Sequence, residues 1–152
     1  MAFLSSINVI ASGLTAQQLR LDVVAENITN ATTTRTEAGG AYRRKMVVFE
    51  AESGRDSFRD VMARTDGSAS NAGYENAGGV RVTQIVEDPS DLKLVYDPMH
   101  PDANEDGYVE MPNVDTIKEM ADAMAATQAY SANVTALNTL KTVISKGLEI
   151  GR

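Results

Sequence analysis

The stretch AMAATQAYSANVTALNTL, residues 123–140, contains no charged side chain. Its bulkier positions nevertheless recur at helical spacing. Met120, Ala123, Thr127, Tyr130, Val134, Leu137, Ile144 and Leu148 step by three and four, with Met124 beside them and a break at Lys141. An ordinary surface helix shows water a charged face. Here the remaining positions are Ala, Ser, Thr, Asn and Gln, small residues that let another helix approach closely and amides that bond across the contact. Asn113 and Asp115, following Pro112, give this helix a capped and acidic start. Its span from 113 to 148 corresponds to ~54 Å, and Gly147 and Gly151 loosen its end.

The other end of the chain repeats the pattern. Leu4, Ile7, Ala11, Leu14, Leu21, Ala25 and Ile28 form a stripe, with Gln18 filling one polar step. This predicts a helix of roughly 26 residues, about 39 Å long. Asn30, with its tolerance of a left-handed cap, and the β-branched run Thr32, Thr33 and Thr34 supply the stop. Two long helices with uncharged faces predict antiparallel pairing as a coiled-coil-like bundle and assembly with further helices; the plainer alternative is a hairpin whose polar face lacks charge.

Between the helices the period changes to that of strands, predicted at 42–49, 58–64, 80–86, 92–96 and 108–111. Gly39-Gly40, Asp66-Gly67, residues 71–79, Asp88-Pro89 and Asp97-Pro98 mark the turns. The fold class is therefore α+β: an N-terminal part of a helical assembly domain (1–36), a β-rich middle module (37–111) and a C-terminal helix of the assembly domain (112–152).

Composition narrows the function. The 152 residues allow one ordinary domain. Hydrophobic residues make up 43%, but aromatics only 5% and Trp is absent, which favours helix seams over a deep core. A formal net charge of −7 argues against nucleic acid. The absence of cysteine removes disulfides, thiolate metal sites and a thiol nucleophile. Residues 1–19 carry no charge, yet Ser5, Ser6, Asn8, Ser12, Thr15, Gln17 and Gln18 interrupt the apolar run, so neither a cleaved leader nor a membrane span is expected.

The chemical motifs fall short. Asp102, Asn104, Asp106, Gly107 and Val109 match part of a calcium loop, but position twelve is Asn113 and prolines occupy the entering helix, so a tight turn into the last strand is the better reading. His100 is the only histidine, set between prolines in a loop. Arg43, Arg44 and Lys45 alternate faces on a strand, which suits an ion-pairing edge. No catalytic residue, metal ligand or cofactor site is expected.

The segment SSINVIASGLTAQQLRLDVVAENITNATTTRTEAGGAYRRKMVVFE, residues 5–50, resembles the N-terminal signature of the axial proteins of the bacterial flagellum, with Asn27 and Asn30 on the two Asn positions of its helix end. VYDPMHPDANEDGYVEMPNVDTIKEMADAMAATQAYSANVTALNTLK, residues 95–141, is similar to the same family nearly end to end. Residues 51–76 carry no such likeness. The resemblance implies a non-enzymatic structural subunit of the basal body's proximal rod. It implies transmission of torque across the cell envelope, export through the flagellar secretion apparatus without a cleaved signal, and packing beside other rod proteins and copies of itself. Asn27 and Asn30 join the two stripes as expected assembly contacts. A coiled-coil adaptor or export-associated protein forming a discrete soluble complex is the alternative.

Overall fold

The computed structural model describes residues 2–37, 39–52 and 78–150, with side chains described from residue 5 to residue 149. The order is α1 (Ala2–Thr29), β1 (Lys45–Ala51), β2 (Val80–Glu87), β3 (Lys93–Tyr96), β4 (Tyr108–Met111) and α2 (Thr116–Ile150). The α+β class and the two long terminal helices are as the sequence predicts. The strand expected at 58–64 lies outside the described residues.

α1 ends where predicted, by a different device. No described non-glycine residue takes a positive φ, so Asn30 is not a left-handed cap. Its side-chain Nδ2 and its backbone N–H both donate to the Glu26 carbonyl at 3.0 Å, and Thr33 Oγ1 donates to Asn30 Oδ1 at 3.1 Å. The chain then turns through Gly39 and Gly40, at φ +86° and +83°, where a side chain would be strained. α2 starts one short step later than expected. Asp115 is its cap, accepting from the Ile117 N–H at 3.1 Å, whereas Asn113 is diverted to the strands.

β1 pairs with β2, and β3 with β4, in two separate two-stranded sheets. The second is an antiparallel ribbon in which Leu94 faces Glu110 and Tyr96 faces Tyr108.

The described residues divide into two compact units, each containing a length of both helices. In the first (2–17, 49–52, 78–83 and 129–150), α1 meets α2 at Gly13, where a Cβ would stand 3.0 Å from Asn133 Nδ2. There the Ser12 hydroxyl donates to the Val9 carbonyl at 2.7 Å and accepts from the Val80 N–H at 3.1 Å, tying the head of β2 to α1.

In the second unit (18–48 and 84–128), Arg20 pairs with Asp122 at 3.0 Å and Asn27 with Glu119 at 2.9 Å. Rising numbers on α1 meet falling numbers on α2, so the helices run antiparallel. Its core is Val23, Val24, Tyr42, Val109, Val114 and Ala126, with Asn27 and Glu119 buried among them.

Candidate assembly interface

Gly13, Arg20 and Asn27 on α1 meet Asn133, Asp122 and Glu119 on α2, and Ala16 and Val23, buried on the same side of α1, continue that line, as does the buried Ala126 on α2. On α1 these positions step by three and four, but lie one or two residues N-terminal to the stripe of large apolar side chains predicted from sequence. One residue is about 100° of helix. The seam of the subunit and the apolar stripe are therefore different faces, a distinction hidden because the seam is made of small and polar residues.

At the heart of the second unit the seam is polar and fully bonded. Asn27 is 1% exposed, and its amide makes four hydrogen bonds. Nδ2 donates to the Lys45 carbonyl and to Glu119 Oε2, and Oδ1 accepts from the Lys45 N–H and the Tyr42 hydroxyl, each at 2.9 Å. The side chain thus pairs with Lys45 as a neighbouring strand would, at the residue where β1 begins.

Glu119 is wholly enclosed; its other oxygen takes Arg44 Nε at 2.5 Å. Arg44 also reaches Asp122 at 3.2 Å and Asp88 at 3.7 Å. Asn113 ties this network to the sheet, accepting from the Arg44 N–H at 2.8 Å and donating to Ser90 Oγ at 2.9 Å.

Burial, then the carboxylates of Glu26, Glu119 and Glu87, push the Tyr42 phenol up to about 12. Burial works against the Arg44 charge, but the Glu119 bond and the charges of Glu119, Asp122 and Asp88 outweigh it and raise its pKa. Asp88 is held below the usual carboxylate range by the Ser90 N–H and hydroxyl, with help from Arg44.

The predicted contact residues separate into three groups. Asn27 has no surface to offer, being spent inside the subunit. Ile7, Leu14, Leu21, Ile28, Asn30, Ala123, Tyr130, Val134, Leu137 and Ile144 are half-buried. Ala11, Ala25, Met120, Met124, Thr127 and Leu148 are exposed, with Met124 74% accessible. The Leu4 side chain lies outside those described. Around Met124, residues Ala121, Ala125, Thr127 and Gln128 line an open groove on α2.

Five hydroxyls along α2 are already satisfied. Thr127, Thr135, Thr139, Thr142 and Ser145 each donate to the carbonyl four residues back, at 2.8–3.1 Å. Covering this surface would strand none of these donors, the usual penalty for enclosing polar groups.

The remaining motifs are structural. Asp102 pairs with Arg35 and accepts from the Thr34 hydroxyl. Asn104 Oδ1 accepts from the Asp106 and Tyr108 N–H groups, and Gly107 sits at φ +79°. The calcium-like string is thus a tight turn into β4. His100 Nδ1 accepts from the Asp102 N–H within that loop. Arg44 and Lys45 carry ion pairs, the latter with Glu26 at 2.5 Å. No group of three or more His, Asp or Glu among the described residues could hold a metal ion. No described helix is long and apolar enough to cross a membrane.

A helix pair joined by small β elements, with an uncharged outer face, is the construction of an assembly subunit. Family models agree: residues 7–35 match that described as "Flagella basal body rod protein" and residues 105–150 that described as "Flagellar basal body rod FlgEFG protein C-terminal". Curated relatives include the flagellar basal-body rod protein FlgC of Bacillus subtilis, 47% identical over 97% of each chain. That of Borreliella burgdorferi is 42% identical over 99% of this chain and 98% of its own, and that of Salmonella typhimurium 38% identical over the whole of both. The chain belongs to the FlgC family of flagellar basal-body rod proteins.

Proposed function

We propose that this chain is a structural, non-enzymatic subunit of the proximal rod, assembling through its terminal helices with copies of itself and other rod proteins. On this reading, residues 1–36 and 112–152 form the assembly part and residues 37–111 a middle module. The subunit passes through the flagellar export apparatus without a cleaved signal, reaches the periplasm and transmits torque through repeated helix contacts.

The observation that carries the reading is on α2: Met120 and Met124 are exposed beside a surface with no charge and with hydroxyls bonded to their own helix. Water gains little from such a face, while a neighbouring helix gains apolar burial at ~25 cal/mol per Å². Residues exposed in the subunit are the informative ones to change. Met124→Asp and Ala25→Asp leave the fold intact, by circular dichroism, and remove the protein from isolated basal bodies, so that cells stop swimming. Motile cells with either variant in their basal bodies overturn the proposal.

A further inference from the structure

The helices do not account for the outer face of the β3–β4 ribbon. Its register places Leu94, Tyr96, Tyr108 and Glu110 on one side, while Val109, on the other, is completely buried. Tyr96 and Tyr108 meet edge to face with ring centroids 5.3 Å apart. Both are exposed, as is Leu94, and Met99 in the following loop is 93% exposed. Single exposed apolar side chains need no explanation, but three on one side of a small ribbon, with a fourth in the loop that leaves it, mark a contact surface.

The ribbon and its loops are acidic. Residues 91–110 contain Asp91, Asp97, Asp102, Glu105, Asp106 and Glu110 against Lys93 alone; the Lys93 ammonium is held by the Val114 carbonyl at 2.7 Å, and Arg35, which lines a cavity with Tyr108 and Glu110, is paired with Asp102. Of the six carboxylates only Asp102 has an ion-pair partner among the described residues. Such a surface selects a partner with cations around an apolar centre.

The end of α2 offers that pattern. Val143 and Leu148 are exposed there. Lys141 has no ion pair among the described residues, and Lys146 is engaged only by the exposed Glu149, at 2.9 Å.

We propose that the β3–β4 face docks on the C-terminal end of α2 of a second copy of this chain. The contact joins two different surfaces, so each copy keeps one of each free and the contact repeats along an assembly instead of closing as a two-fold dimer. It shares Leu148 with the α2 stripe but uses neither Met124 nor Ala25, so the two contacts are lost by different substitutions.

Sedimentation velocity of the purified full-length chain tests it. Self-association is expected at high protein concentration, weakening as salt rises. Asp97→Lys with Asp106→Lys weakens it about tenfold or more, and so does Lys141→Glu with Lys146→Glu, the price of opposing like charges. All four substituted positions are exposed, and Asp97 gives up only its bond from the Met99 N–H in an exposed turn, so folding is retained, and mixing the two variants restores association. No association at any concentration, no response to the charge changes, or no rescue on mixing overturns the proposal. Association lost in Met124→Asp but unmoved by the charge variants overturns this contact and leaves the helix-face reading standing.

Discussion

Asn27 makes every hydrogen bond an amide can make, and it does so between a helix and the first residue of a strand. The partner that matters most is Glu119, a carboxylate with no exposure whose charge is balanced by Arg44. Removing one member of a buried pair leaves the other desolvated, at a cost of about 3–5 kcal/mol. Asp122 and Asp88 remain near Arg44, so Glu119→Ala is expected at the lower end, about 3 kcal/mol. Glu119→Gln keeps a bond acceptor for Asn27 and loses less. Urea unfolding of the two variants checks both the size and the order; equal, near-zero losses contradict the network's role. Sequence reading marked Asn27 as important through its family position but placed it in an assembly contact. Its internal role was hidden because Glu119, Arg44 and Asn113 are remote in sequence, and nothing in their spacing says that they converge.

At the scale of elements, the helices and the described strands were legible because period and turn residues are local signals. β4 matches its predicted range, β2 and β3 differ by a residue, and β1 begins three residues later and ends two later than predicted. The seam between the helices was not legible. Large apolar residues point to Leu14, Leu21 and Ile28, while the chain joins its helices at Gly13, Arg20 and Asn27, with Ala16 and Val23 buried on the same side. Close approach selects smallness, which a hydrophobic count overlooks. Gly79 shows the same selection where β2 leaves α1: a Cβ there would overlap Ser12 Oγ and stand 2.8 Å from Ser12 Cβ. Gly79→Ala is therefore expected to destabilise by about 1–3 kcal/mol, because Ser12 must give up its bonds to Val9 and Val80. In a Ser12→Gly background the same substitution costs less. A thermal-unfolding double-mutant cycle checks the coupling; additive losses refute the crowding.

For the whole molecule, the decisive fact is where charge is absent. The chain has a net charge of −7, yet residues 123–140 contribute none of it, and on that stretch the threonine hydroxyls turn back on their own helix. The family and the α+β class were legible because both ends carry dense, characteristic runs. Which side chains meet a neighbour was not, because one chain's sequence contains no record of the molecules that cover it.

That central claim, enclosure of the α2 face by other subunits, has a direct test. The chain contains no cysteine, so Met124→Cys introduces a single thiol at an exposed position. Maleimide labelling of that thiol should be rapid in the free subunit and blocked in intact isolated basal bodies, returning when they are dissociated. Equal labelling of the free subunit and the intact basal body would contradict the account.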